Sequence, residues 1–351
     1  MADAICSPGA GPKVLCAALA NAMRGVVEPA QSKLCEPCEP HGSVVPNTPL
    51  TQHVVDDVVV RSAAEQEKRA LQRVDCTARI HMQVFAWLKL MPPEHSPCTQ
   101  TIERCFPGAL PGAAVLHRSA DVLSSRFGCT PENTLYGNSV CPDEINQQKG
   151  GLPETMANFW GECFPLGGIG GAPFVGKTGF GAFSSHVPQM ACPFDQDGNI
   201  LILFGPHIAI SEEGELGKYR RLGQTKLSSA CGAVLAAYAS CCRGDVSADP
   251  DDMEQSWLKA SLAKSVSKVK RAKDPLQVTW PLTRTTLFFV FANSQVLITE
   301  AYKVVRDQIL RIINTNFGSG RLILLGGIQI NLPHPYNDFF LPLMFQVNKC
   351  P

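Results

Sequence analysis

Two cysteines and a histidine stand where a chain of this pattern would turn a corner. Cys141 follows the short apolar run Thr134–Val140, with Asp143 two positions on. His207 follows the apolar run 200–204 through Gly205-Pro206, and Cys231 stands at the start of an Ala- and Leu-rich segment reaching about Cys242. Two thiolates and one imidazole form a soft donor set suited to zinc. Three protein ligands leave a fourth position open, the arrangement of catalytic rather than structural zinc. A thiol in the first turn of a helix also ionises more easily, because the dipole and the free amides favour thiolate. Each residue alone has a plainer reading: Cys141 a buried turn thiol, His207 a satisfied core histidine, Cys231 a helix filler. The chain offers 15 cysteines and 8 histidines, so other trios compete.

Two further motifs invite chemistry. Gly171-Ala-Pro-Phe-Val-Gly176-Lys177-Thr178 matches the phosphate-loop pattern, in which amides cradle phosphates, the lysine neutralises them and the threonine holds magnesium. That chemistry needs a strand before the loop and a helix after it. Residues 163–170 do not read as a strand, and 179–188, glycine-rich and ended by Pro188, make a poor helix. The runs 200–204 and 322–325 end in Gly205-Pro206 and Gly326, so neither supplies a magnesium-holding Asp. The match reads as chance in a glycine-rich chain. Cys35-Glu-Pro-Cys38, with His41 three residues on, looks like half a zinc finger, but no second Cys-x-x-Cys exists to complete it.

The elements that must position these residues follow from hydrophobic period. Val54, Val55, Val58, Val59, Ala70, Leu71 and Val74 recur on helical faces across 51–90. A helix is expected over 113–127, stopped by Gly128. Residues 167–181 hold seven glycines among fifteen and read as a packed loop, not regular structure. The run 200–204, bounded by Gly198 and Gly205, reads as a buried strand. Ser228 and Ser229 offer caps for a helix beginning near Ala230. Helices are expected at 251–268 and 294–315. Strands are expected at 284–292 and 321–325, the latter leading into 326–330. Apolar strands alternating with helices predict an α/β fold, a mostly parallel sheet flanked by helices. Residues 1–50, rich in Ala, Pro and Cys with little period, read as an extension or linker, leaving 51–351, with its helical N-terminal part, as the domain that carries Cys141, His207 and Cys231.

Composition narrows the functional classes. A chain of 351 residues can bury a sizeable core without disulfides. Lys+Arg and Asp+Glu are equal at 31 each, against the basic surplus of a nucleic-acid binder. No membrane span is expected: the strongest apolar stretch, 287–298, is interrupted by Asn293, Ser294 and Gln295, and a helical span needs ~20 apolar residues. The N-terminus lacks a charged n-region before a long apolar core, so secretion is not expected. An odd number of mostly scattered cysteines points to a reducing compartment.

Five ordered blocks then carry a family resemblance, spanning residue 80 or so to the C-terminus. Cys141-Pro-Asp-Glu-Ile145, Gly176-Lys-Thr-Gly-Phe-Gly-Ala182, Pro206-His-Ile-Ala-Ile-Ser211, Ser228-Ser-Ala-Cys-Gly-Ala233 and Leu325-Gly-Gly-Ile-Gln-Ile-Asn331 resemble the limiting-CO2-inducible B/C family of algal proteins, related to the β-carbonic anhydrases. The resemblance implies a β-carbonic-anhydrase-like fold and zinc on Cys141, His207 and Cys231. The implied activity is interconversion of CO2 and bicarbonate in inorganic carbon acquisition, with Asp143 as catalytic carboxylate. The alternative it allows is a non-catalytic zinc-containing subunit or scaffold. The first block resembles Cys-x-Asp-x-Arg of the β-class, where the arginine holds the aspartate off the metal, but Ile145 stands in the arginine's place. Arg220 or Arg221, ahead of Cys231, is the expected substitute; without one, Asp143 closes onto zinc. Phe180 and His186 are candidates for the substrate pocket, His186 as an outward proton carrier near neutral pH. A homodimer, or a hetero-oligomer with a paralogue, is implied, and residues 284–347 carry apolar surface for the interface. The implied location is the plastid, in the chloroplast stroma, with the cytoplasm as alternative.

Overall fold

The computed structural model describes residues 90–148, 150–187, 198–271, 294–315 and 320–349. The helical pattern over 51–89, the extension 1–50 with Cys35, Cys38 and His41, and the strand expected at 284–292 all lie outside the described residues.

In chain order the helices are α1 (Pro97–Cys105), α2 (Gly112–Phe127), α3 (Leu152–Trp160), α4 (Gly176–Ser184), α5 (Gly232–Cys242), α6 (Met253–Leu262), α7 (Val266–Arg271) and α8 (Ser294–Ile313). The strands are β1 (Leu110–Pro111), β2 (Thr134–Val140), β3 (Cys163–Pro165), β4 (Asn199–Gly205), β5 (His207–Ala209), β6 (Lys218–Tyr219), β7 (Ser228–Ser229), β8 (Arg321–Asn331) and β9 (Phe339–Lys349). The main sheet runs β1-β9-β8-β4-β2-β3, with β5 also paired to β8. β2, β3, β4, β5 and β8 are mutually parallel, whereas β9 pairs antiparallel with both β8 and β1. The fold is thus the α/β class expected, with an antiparallel margin that the apolar patterns did not reveal.

The continuous apolar strands are explained by burial on both faces. Ile200, Ile202 and Phe204 of β4 point into a cluster with Phe180 and Phe183 of α4 and Ile309 of α8. Leu201 and Leu203 point the other way, against Leu116 and Leu123 of α2 and Met156 of α3. One strand therefore serves two cores, which only a parallel sheet covered on both sides requires. α2 presents Val115, Leu116, Ala120 and Leu123 to that second core and ends at Gly128, whose φ of 67° lets its amide reach Ser124 O.

Two expectations need correction. The glycine-rich stretch 167–181 is a loop only in its first half, because α4 begins at Gly176. Glycine costs about 1 kcal/mol per helical position. Phe180 and Phe183, both essentially inaccessible, supply the burial that outweighs it. A short strand, β3, also precedes the loop, so both parts of the context denied to the phosphate-loop match are present. The phosphate reading still gains nothing. The amides of Gly171, Ala172, Phe174 and Gly176 are spent on carbonyls within 168–173, and Pro173 has no amide to offer. The second correction concerns Ser228 and Ser229. They form β7 opposite Tyr219 and Lys218, and the residue at the N-cap of α5 is Cys231.

Candidate metal centre

Three chain reversals converge at the C-terminal ends of the parallel strands, where open α/β sheets place their ligand sites. β2 ends at Val140, paired with Gly205, so Cys141 emerges beside Pro206. β4 and β5 run along one strand, β8, with a break at Gly205-Pro206 between them. Gly205 is required there: a Cβ would overlap the carbonyl of Gly327. The break delivers His207 opposite Gln329. The β6–β7 ribbon then carries the chain back over this end and places Cys231 at the start of α5.

The outcome is a buried trio. Cys141, His207 and Cys231 are 4%, 1% and 3% exposed, and their ligand atoms all lie within 4.8 Å of one another. The Cys141 and Cys231 sulfurs are 3.7 Å apart. Two sulfurs at zinc's usual ~2.3 Å, at a tetrahedral angle, would stand about 3.8 Å apart. His207 Nε2 is buried with no hydrogen-bond partner, an orphaned acceptor that a metal ion would satisfy. The donor set and spacing therefore fit a metal ion. Without a metal, the Cys141 thiol is pushed up, first by its hydrogen bond to Cys231 and then by burial. Cys231 is held below the ordinary thiol value by that bond, against burial and with help from the Val234 and Ala233 amides. Metal binding must displace the thiol protons.

The histidine's tautomer is fixed by a chain of amides. Asn146 Nδ2 donates to Cys141 O at 2.9 Å, leaving Asn146 Oδ1 to accept from Asn331 Nδ2 at 3.0 Å. Asn331 Nδ2 also donates to Asp338 Oδ2 at 3.1 Å, so Asn331 Oδ1 faces His207 Nδ1, 2.8 Å away. Nδ1 therefore carries the proton, and Nε2 turns its lone pair toward the thiols. Gln329 Nε2 and the Leu332 amide also donate to Asp338. Burial pushes this carboxyl up to about 7, over the opposing pull of its donors. The sequence reading missed Asn146, Asn331 and Asp338; the one signal was polar residues inside otherwise apolar strand-end blocks.

Asp143 stands beside the trio, its Oδ2 3.6 Å from His207 Nε2. Arg221 Nη2 donates to both carboxylate oxygens, at 3.1 and 2.9 Å. The same guanidinium bonds Ser228 Oγ, the carbonyl of Ser229 and Glu144. The ribbon that supplies Cys231 thus also supplies the cation that restrains Asp143. Arg220 turns away, to Thr225 O and Glu213. Ile145 is buried in an apolar cluster with Ala209, Tyr219 and Ala230, where an arginine would be stranded. Burial works against the Asp143 charge, but a Glu144 hydrogen bond and the Arg221 guanidinium outweigh it and hold the carboxyl below its ordinary value.

The other two candidates lie elsewhere. Phe180 is in the core between α4 and β4, and His186 is exposed beyond α4 with its ring 6.1 Å from that of Phe164. Beside Cys231 lies a space of about 10 Å³ walled also by Ile208, Val234, Leu297 and Ile298. A larger cleft of about 720 Å³, lined by Tyr219, Arg220 and His334, contains none of the trio and not Asp143. Among the described residues no helix is long and apolar enough to cross a membrane.

Residues 109–287 and 292–349 match the model for limiting CO2-inducible proteins B/C beta carbonic anhydrases, and the chain belongs to that family. Among solved structures it is similar to PtLCIB4, described as a homolog of the limiting CO2-inducible protein LCIB. That match has 29% identity and a TM-score of 0.60, over 72% of this chain and 95% of the other. A histidine-to-alanine mutant of PtLCIB4 matches at 28% identity and TM-score 0.60 over 72% and 95%. A serine-to-arginine mutant matches at 27% and 0.57 over 72% and 96%. No curated protein sequence matches the chain.

Proposed function

We propose that the chain is a zinc carbonic anhydrase, converting CO2 and water to bicarbonate and a proton and running the reverse reaction. The observation that carries this reading is the buried Cys141/His207/Cys231 trio beside a carboxylate, Asp143, that Arg221 holds 3.6 Å from His207 Nε2. Zinc is supported over harder cations by two sulfur donors and one imidazole. When bound, it supplies Lewis acidity that makes water nucleophilic near neutral pH.

The chain's own residues do the rest. Asn331 holds the proton on His207 Nδ1 so that Nε2 is a lone-pair donor. Arg221 keeps Asp143 ionised and off the trio, so its free lone pairs accept a hydrogen bond from the attacking water and orient it. Ile208, Val234 and Leu297 give Cys231 an apolar flank. A homodimer, or a hetero-oligomer with a paralogue, and a plastid location are part of the proposal and rest on family membership. Light scattering and imaging of the tagged chain test them.

Metal analysis and stopped-flow CO2 hydration test the function together. About one zinc per chain is expected, retained when Cys35 and Cys38 are both changed to Ser. Asp143→Asn should keep the zinc and lose about 100-fold or more in hydration. Zinc that disappears with Cys35 and Cys38 would overturn the site. Full zinc at Cys141 and Cys231 with no hydration would leave the non-catalytic subunit.

A further inference from the structure

The loop 167–171, between β3 and α4, lies against the strand ends that carry the trio. A Cβ on Gly167 would come within 2.6 Å of the Val140 backbone, and one on Gly171 would overlap the Gly205 carbonyl. The Gly170 amide donates to Cys141 Sγ at 3.3 Å. Its neighbour, the Ile169 amide, donates to Glu254 Oε2 at 2.6 Å. Glu254 comes from the first turn of α6, whose N-cap Asp252 accepts from the Gln255 amide. α6 is tied in turn to α5 by Gln255 Nε2 donating to Ala233 O. Gly168 leaves the room: a Cβ there would overlap the Glu254 carboxylate.

We infer that Glu254 is a positioning residue for the Cys141 thiolate, acting through the Ile169 and Gly170 amides. The inference rests on the reading that Cys141 holds zinc. Four of the five loop residues are glycine, so the loop has little side-chain packing of its own to set its path. By accepting from the Ile169 amide, the Glu254 side chain gives this glycine-rich loop a fixed anchor. It fixes the peptide plane whose next amide meets the sulfur. That N–H withdraws charge from one of two thiolates that would otherwise blunt the metal's acidity.

The test uses the full chain with zinc, and with cobalt as a spectroscopic stand-in. Glu254→Ala should weaken zinc binding about 10-fold or more in competition with a chromophoric chelator, as loss of outer partners does. It should also shift the cobalt–thiolate charge-transfer band to lower energy, because the sulfur becomes more electron-rich. Glu254→Gln, whose carbonyl still accepts from Ile169, should restore both to within about 3-fold and to the wild-type band. Glu254→Asp, one methylene short, should resemble Glu254→Ala and serves if that variant fails to fold. A wild-type band and affinity in both Glu254→Ala and Glu254→Asp would overturn the inference while leaving the zinc site standing. Equal loss in Glu254→Gln would overturn it too, by showing that charge rather than the accepted hydrogen bond matters. A Cys141→Ser variant that keeps its zinc would instead overturn the zinc site, and this inference with it.

Discussion

The two walls of the candidate centre are built on different physics. The His207 wall is a closed amide network: His207, Asn331 and Asn146 are at most 1% exposed, and their side chains are linked to one another by hydrogen bonds. The Asp143 wall is an ion pair at the edge of solvent, with side chains 11% and 20% exposed, held by a ribbon whose next residue, Leu222, is fully exposed. Buried networks fix one geometry because every broken link strands a polar group. Part-exposed ion pairs contribute little stability but set where a charge sits. In the proposed function, the first wall holds the metal ligand and the second governs the reacting water.

The sharpest way to break this comparison is Asn331→Leu. It removes the partner of His207 Nδ1 and Asn146 Oδ1 and one donor to Asp338, all buried. At 1–3 kcal/mol per stranded group, urea unfolding should show a loss of at least ~3 kcal/mol. Zinc affinity should fall about 10–100-fold. Stability and affinity within error of wild type would show that the network is ornamental.

Arg221→Ala should behave in the opposite way. Stability should drop by only about 1 kcal/mol and zinc should be retained. Hydration at pH 7 should fall about 10–100-fold, recovering as pH rises past about 8, because a freed Asp143 competes for the open position. Stopped-flow rates from pH 6.5 to 9 decide this. A flat, wild-type profile would mean that Arg221 does not restrain Asp143.

The smallest effect is a difference in pH sign. The folded pKa of Asp338 lies above its unfolded value, at about 7, so its contribution is full below pH ~4 and is lost as pH rises through about 7. Asp143 is lowered, so its contribution is present above pH ~4 and is lost as pH falls through its folded value. The first wall should weaken toward alkali and the second toward acid. Unfolding free energies of Asp338→Asn and Asp143→Asn, each subtracted from wild type across pH 3–8, should slope in opposite directions. Parallel slopes would contradict the assignment.

Much of this site was legible in the chain itself. Apolar runs interrupted at Cys141 and Gly205-Pro206 fixed where strands end, and strand ends are where an α/β sheet collects its chemistry. The trio and Asp143 could therefore be placed from spacing and family resemblance. Arg221 was narrowed to one of two neighbours; the turn of the β6–β7 ribbon chose it, because side-chain direction there depends on a pairing only 2 residues long. Helix α4 was misread because local glycine propensity points to a loop, whereas the burial of Phe180 and Phe183 belongs to residues far along the chain. The amide network was beyond sequence reach. Asn331 and Asn146 are 185 positions apart, and nothing in either neighbourhood says that they meet. Periodicity records which face of an element is apolar, so it determines the layers. Which buried polar groups satisfy one another depends on register across the finished sheet, and only the tertiary structure sets that.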